Sequence, residues 1–480
     1  MRRFFLATLL LAIPLALCAE DAAQRGPLRL TLKRAVEIAT SPEGNTYIQL
    51  SDENVKQAKY RSQEARSALL PDIEGQAEQI TAMKSLAALG LDLATNQTLV
   101  GAENAIIANC DGVGNCLALA KTETNTLNEI INNIPRVVGP FNSVDVRAHA
   151  TQSVVDISSI RRYQASKAAM RATADDRGNT DESVSATVAK AYLNALRANA
   201  DVEASQANVA LAEAVLKQSE NQKVAGTGTG IDVTRAKVQL SNEKQHLLAA
   251  QNDRNKSYLQ LLRVMGMSLD TELDLADKLS YQPTDPITVE QARAEAFKNR
   301  PDLKAEAERE AAARLNANSV KSERLPSLYF YGDYGTTGTN GDIVSLLPTR
   351  DYGLSLRVPI FDGGRRDARR AEAASQLRQE RTKSADLREQ IELDIRTSLD
   401  NLHNADEQLQ VAEEGLTLSE SELTQSRRRF EAGFASNLEV TDAQTKLERA
   451  RDNRIDALFG YNVARVDLGQ AMGNVRRMIQ

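Results

Sequence analysis

The 480-residue chain carries 26% charged residues, only 4% aromatics and no tryptophan. That composition belongs to long solvated helices and excludes a large aromatic core. A formal charge of −6 supplies no basic surface, which excludes nucleic acid as a partner.

Arg2 and Arg3 precede an apolar stretch from Phe4 to Ala19, the layout of a secretory signal, and residues 1–18 are read as a signal peptide. An uncleaved anchor is disfavoured, because this stretch is shorter than the roughly 20 residues a spanning helix needs. Leu15-Ala16-Leu17-Cys18 resembles a bacterial lipoprotein box, which would leave Cys18 lipidated; ordinary cleavage near Cys18 or Ala19 is the alternative. No later run of 18 apolar residues occurs, so no transmembrane helix is predicted. Membrane β-strands, whose signal is only alternation over about ten residues, stay open.

Residues 29–70 are read as opening helices, with Thr31 in Leu30-Thr31-Leu32 as a helix cap. Leu69-Leu70-Pro71 ends them, since proline forces its predecessor out of helical geometry. Residues 71–156 are a first β-hairpin: a rising strand from Asp72 to Ile80, then Val144, Val146, Ala148 and Ala150 alternating with polar neighbours. Glu74, Glu78 and Gln79 make the rising strand a poor lipid-facing candidate. Between the strands, an insert of about residues 83–138 holds Cys110 and Cys116. In an exported chain two cysteines closing a short loop are read as a disulfide. The rival, a zinc site, lacks nearby histidine ligands.

Residues 157–268 form a long helical hairpin, 269–286 a linker containing Pro283 and Pro286, and 287–325 a second set of opening helices begun at Ile287-Thr288-Val289 and ended at Leu325-Pro326. A second β-hairpin spans 326–362, with Tyr352, Leu354, Leu356, Val358 and Ile360 alternating with polar or small residues. Four of the eleven tyrosines, Tyr329, Tyr331, Tyr334 and Tyr352, fall here as an interfacial aromatic girdle would require. A second helical hairpin fills 363–475.

The two hairpins repeat each other at an offset of 206 to 207 residues. Val188, Ala195, Val202, Val209 and Leu216 recur every seven residues, as do Ile395, Leu402, Leu409, Leu416 and Leu423, the pattern of a coiled-coil seam. No proline lies between Phe141 and Gln282 or after Pro359, so each half can run as helix for about 65 residues, roughly 100 Å at about 1.5 Å per residue. Such a helix demands an elongated molecule. Two hairpins of strands give four per chain, whereas small membrane barrels need at least about eight, so a barrel must be shared among subunits.

No enzymatic motif survives inspection: three scattered histidines, no HExxH, no GxSxG and no phosphate loop predict neither catalysis nor a cofactor or metal site. The hairpin tips are the informative places. Glu439 and Asp442 stand three residues apart in the first turn after Gly433, and Asp232 follows Gly226 similarly. Acids near a helix N-terminus are favourable by about 0.3–1 kcal/mol in any case; the functional alternative is a ring of such acids from several subunits, a cation-selective or gating ring.

Val358-Pro-Ile-Phe-Asp-Gly-Gly-Arg365, Arg429-Phe-Glu-Ala-Gly433, the Leu-Pro helix ends, the paired Leu-Thr-Leu and Ile-Thr-Val openings and the two Met-Gly pairs together resemble the TolC family of outer-membrane efflux and secretion proteins, over about residues 29–475. The resemblance implies a mainly α chain with a small membrane β part. Its duplicated hairpins would form a trimeric α-barrel tunnel in the periplasm, and its strands a shared twelve-stranded β-barrel in outer-membrane lipid. It further implies docking of a periplasmic adaptor and an inner-membrane transporter at the tips around Gly226 and Gly433, and a constriction at Glu439 and Asp442. Ala435 is a further candidate adaptor contact at the second tip, where some members carry a basic residue that this chain lacks. The function expected is a passive exit duct for drugs, toxic small molecules or secreted polypeptides. The rival is a coiled-coil scaffold or adhesin without a pore.

Overall fold

The computed structural model describes residues 27–85, 137–339 and 347–479, with Ala108, Thr122, Asn125, Thr126 and Glu129 described singly. The expectations at Cys18, Cys110 and Cys116 lie outside these residues. In chain order the elements are β1 (Leu28–Leu30), α1 (Leu32–Ala39), α2 (Thr46–Ser67), β2 (Asp72–Ser85), β3 (Val137–Val155), α3 (Ile157–Val224), α4 (Gly230–Met265), β4 (Leu273–Leu275), α5 (Val289–Asn299), α6 (Pro301–Ser322), β5 (Ser327–Thr339), β6 (Leu347–Arg357), α7 (Arg365–Glu431), α8 (Asn437–Ala471) and α9 (Val475–Met478). No helix among the described residues is long and apolar enough to cross a membrane.

The chain divides into two compact units. One, built from Lys59–Ala169 and Ala311–Gln379, holds a four-stranded sheet in the order β2-β3-β5-β6, all neighbours antiparallel. Its strands begin directly after the Leu-Pro pairs, at Asp72 and Ser327. The β3–β5 pairing joins the two repeats into one sheet, and among the described residues β2 and β6 are its open edges.

The other unit comprises Met1–Ala58, Met170–Glu310 and Glu380–Gln480. Parallel pairing of β1 with β4 ties the start of the first repeat to the linker. Around this pair lies a core of Leu30, Val36, Tyr192, Leu261, Met265 and Val475, all essentially inaccessible to solvent. Tyr192 brings a polar group into it and satisfies that group locally: its hydroxyl is 2.9 Å from the Leu30 carbonyl and 2.8 Å from Asp277 Oδ2. Asp277 Oδ2 also accepts from the Leu32 main-chain N–H. The corresponding core of the second repeat is Ala292, Leu303, Ile391, Ile395, Leu468 and Met472.

Helix starts follow the chemistry of their threonines. Thr31 Oγ1 accepts from the Arg34 N–H, and Thr288 makes a reciprocal capping box with Gln291, each removing orphan donors of a first turn. The heptad positions Val188, Ala195, Val202, Ile395, Leu409 and Leu423 are buried, so the sevenfold spacing does mark the packed seam of the long helices.

Candidate functional site

The first candidate surface is the sheet. Because side chains alternate, cross-strand register decides which residues share a face. Glu74 pairs with His149, His149 with Asp333 and Asp333 with Asp351, so four titratable side chains form one line across all four strands. Glu78 and Asp145 pair on that same face, as do Gln76 and Arg147. His149 Nδ1 is 2.8 Å from Asp333 Oδ1, and Arg147 is ion-paired with Asp145.

The opposite face is mostly apolar, carrying Ile73, Ala77, Val144, Val146, Ala148, Ala150, Phe330, Tyr334, Tyr352, Leu354 and Leu356, with Gln152, Thr336 and Arg350 among them. Ile73, Tyr334, Tyr352 and Leu354 are each about two-thirds or more exposed, an apolar surface with nothing over it among the described residues. The rising strand β2 is thus two-faced after all. Its glutamates point with the polar line, while Gln79 and Thr81 interrupt its apolar side. The four-tyrosine girdle is corrected: Tyr334 and Tyr352 stand on the apolar face, whereas Tyr329 and Tyr331 belong to the polar one. There Tyr329 stacks on the Arg357 guanidinium at 5.3 Å and Tyr331 lies across Gly353.

The second candidate surface is the pair of hairpin turns, which close alike. Gly226 and Gly433 take left-handed φ of 74° and 77°, and the following N–H returns to a carbonyl five residues back, Thr227 to Gln222 and Phe434 to Arg429. This is the helix ending that glycine permits at least strain.

The three acids expected at a gate have distinct environments. Asp232 caps α4: its N–H lies 3.3 Å from Thr229 Oγ1 and its Oδ2 accepts the Thr229 N–H at 3.2 Å. Glu439 is 3.5 Å from Arg429 Nε. Asp442 is 3.1 Å from Lys446 Nζ, which also meets Glu422 at 2.7 Å. Those two partners raise the affinity of the Lys446 amine for its proton, Glu422 first. Within one chain, therefore, each acid already has a partner.

Ala435 is half-buried against the cluster of Val215, Leu423, Phe430, Val440, Ala443 and Leu447. It lies in the α7–α8 turn, partly exposed. Among the exposed tip residues are apolar ones that sequence reasoning passed over: Val224 at 90%, Phe434 at 81%, Leu438 and Ile231. Their signal was available, since apolar residues flanking a glycine turn on solvated helices have no core to enter. Asn437 was also missed; it is buried, and its side-chain amide donates to the Asp232 carbonyl at 2.9 Å, joining the two hairpins at their tips.

A sheet with one polar and one apolar face and two open edges, carried by a chain with two long helical hairpins, has the construction of a subunit of an outer-membrane channel. The family model for outer membrane efflux proteins matches residues 139–267 and 292–474, and the chain belongs to that family. It is similar to Outer membrane protein TolC of Vibrio cholerae serotype O1, 25% identical over 313 residues, which are 62% of this chain and 69% of that one. It is similar also to the Pyoverdine export outer membrane protein OpmQ of Pseudomonas aeruginosa, 22% identical over 322 residues, 65% of either chain. These matches span about two thirds of the relatives' own length. In fold it matches the CmeC outer membrane channel of Campylobacter jejuni with a TM-score of 0.72, at 16% identity, over 92% of this chain and 85% of that one. The protein is accordingly an outer-membrane protein of the efflux class.

Proposed function

We propose that three copies of this chain form a passive exit duct. The observation that carries this reading is the two-faced sheet with open edges at β2 and β6. Unpaired strand edges in lipid leave N–H and C=O groups unsatisfied at several kcal/mol each, so only closure removes them. Three sheets of four strands close as twelve, with the Glu74–His149–Asp333–Asp351 line inward and Tyr334, Tyr352 and Leu354 toward lipid. The helical hairpins extend into the periplasm, where the tips at Gly226 and Gly433, with exposed Phe434 and Val224, meet a periplasmic adaptor that connects the duct to an inner-membrane transporter. The energy for export comes from that transporter. Cargo is a drug, a toxic small molecule or a polypeptide, and Glu439 and Asp442 from the three copies form the narrow point.

The pore-free scaffold reading leaves the exposed apolar sheet face without a purpose. Purified protein in a planar bilayer separates the two: discrete cation-selective conductances from a species of three chains are expected. A non-conducting, detergent-independent rod would overturn the duct.

A further inference from the structure

All four helical segments that adjoin the sheet meet it at one end, because Asp72 pairs with Thr151, Ser153 with Tyr329 and Ser327 with Arg357. The chain gathered at that end, residues 61–71, 156–167, 316–326 and 358–370, holds eleven arginines and lysines against five aspartates and glutamates. A chain with a formal charge of −6 thus carries a basic rim at one edge of its sheet. The few acids are already engaged. Glu323 is shared between Arg162 at 3.6 Å and Arg369 at 3.2 Å, Asp367 pairs with Arg324, Asp362 with Arg366 at 3.2 Å, and Asp156 accepts the Ser158 N–H at 2.9 Å. Arg365 and Arg370 are exposed, and among the described residues no ion pair engages either of them.

An apolar hook adjoins this rim. After Tyr352, Leu354 and Leu356 on the apolar face, the chain runs on without helix to Ile360 and Phe361, which are 95% and 88% exposed. Gly363 and Gly364 then take left-handed φ of 69° and 85°, with open space where each Cβ would stand, and turn the chain into α7 at Arg365. Only that turn separates the hook from the unpaired guanidinium groups. Apolar side chains beside free cations suit the boundary of a charged bilayer, where the former enter the acyl region and the latter stay with the phosphates. Arginine is the cation whose planar fork matches phosphate oxygens in pairs.

We propose that this rim binds anionic phospholipid in the leaflet next to the helices, with Arg365 and Arg370 on headgroup phosphates and Ile360 and Phe361 among the acyl chains. The occupant is a lipid because a soluble anion would use the arginines and leave the hook in water. The hook also continues the face that carries Tyr352 and Leu354. The inference rests on the reading that this face meets lipid, and it adds which lipid is held at its helical end and by which residues.

The chain contains no tryptophan, so Phe361→Trp places a single indole in the hook and its fluorescence reports that position alone. The full-length variant is reconstituted at low salt in phosphatidylcholine vesicles with a minor fraction of phosphatidylglycerol, and either lipid in turn carries brominated, quenching acyl chains. The two quenching curves give the relative affinity of the lipids at the hook. Phosphatidylglycerol should be preferred by about fivefold, the factor that one basic side chain near an anionic surface supplies. Adding Arg365→Gln and Arg370→Gln should bring the ratio back to about one, whereas Lys244→Gln, at an exposed pair 3.6 Å from Glu213, should leave it unchanged. If the arginine variant does not assemble, salt decides: at about 1 M, where charges are screened within about 3 Å, the preference should vanish, and its persistence would overturn the role of the arginines. A ratio of one at low salt would overturn the lipid site. So would an indole that neither brominated lipid quenches, which would mean that a neighbouring copy covers the hook. Bilayer conductance of the same variant tests the duct separately: channels that conduct while the ratio stays at one would strike the lipid site and leave the duct standing.

Discussion

The side-chain amide of Asn437 donates to the main-chain carbonyl of Asp232 across 2.9 Å, and so a single hydrogen bond fastens the start of one return helix to the start of the other. Asn437 is 1% exposed, and its own Oδ1 has no hydrogen-bond partner, so the residue serves the link rather than a general polar surface. Asn437→Ala should lower stability by about 1 kcal/mol, the usual net worth of one hydrogen bond, because the acceptor left behind is offset by removal of the orphaned Oδ1. Its larger effect should be on the tips: single-channel recordings should show longer or larger openings than wild type. Unchanged conductance would mean that the link does not restrain the tip.

Glu439 and Asp442 are held by Arg429 and Lys446, pairs that are more than a third exposed and therefore worth little to stability. Replacing both with amides should leave the melting midpoint within about 0.5 kcal/mol of wild type, as is usual for surface substitutions. It should also reduce cation over anion permeability in bilayer recordings, because Arg429 and Lys446 then face the pathway with fewer opposing charges. Retained selectivity would remove these acids from the narrow point and shift attention to the Glu74–His149–Asp333–Asp351 line of the sheet.

The fold was legible where periodicity carried it. Sevenfold spacing marked Val188 to Leu216 and Ile395 to Leu423 as seam, and Leu-Pro pairs marked where helix gives way to strand, because both signals are local backbone and packing physics. The strand faces were less legible. Glu74 and Glu78 argued against a lipid-facing strand until register showed that they share a face with His149 and Asp145. A tyrosine cluster looked like one girdle although alternation splits Tyr329 and Tyr331 from Tyr334 and Tyr352. At the tips the sequence located the acids but not their partners. Arg429 and Glu439 are ten residues apart across a turn, and Asn437 and Asp232 are 205 apart, so only the assembled hairpins reveal those pairs.

Burial raises the Asp201 carboxyl to about 6, with Asp452, Asp456 and Asp253 reinforcing the shift and Arg197 opposing it. The folded chain thus binds this proton more tightly than the unfolded chain does. Asp201 therefore subtracts stability progressively as pH rises from the ordinary carboxylate range through about 6, and the full deficit is present above that. Asp201→Asn should stabilise the protein at pH 8 and do nothing below pH 4. With a side chain 36% exposed, solvent screening keeps the gain to roughly 1 kcal/mol. A chemical-denaturation series across pH tests the sign directly; destabilisation at pH 8 would show that the Arg197 pairing outweighs burial.

Tyr192 offers a test of the core that does not depend on pH. Burial and the nearby Asp277 push its phenol well above its ordinary range, so it stays neutral under all working conditions. Tyr192→Phe keeps the ring and removes the hydroxyl, leaving Asp277 with one partner fewer in a nearly closed site. The expected loss is about 1–3 kcal/mol, equal at pH 6 and pH 8, measured as a fall in the unfolding midpoint. A loss that varies across that range would implicate another titrating group in this core.

The two Met-Gly pairs have a common physical reason, and they differ from the tip glycines in a way that can be measured. Gly473 has φ of 70°, and a Cβ there would lie 2.8 Å from the Arg300 Cα and 2.9 Å from its N and Cγ; Gly266, at φ 75°, would meet the Gly44 carbonyl oxygen at 2.6 Å. Arg300 cannot step aside. It is 14% exposed and bound to Asp302 at 2.7 Å, to Asp394 at 3.2 Å and to the Ala471 carbonyl at 3.2 Å. Gly433 has the same left-handed backbone but nothing within 4 Å of its missing Cβ. Gly433→Ala should therefore cost only the left-handed penalty, about 1 kcal/mol. Gly473→Ala adds a clash with fixed atoms to that penalty, for a total of roughly 3 kcal/mol or more. Unfolding midpoints of the two variants, measured side by side, should separate by several degrees; equal losses would mean that the Arg300 network yields to a methyl group, and that close packing is not why glycine follows Met472.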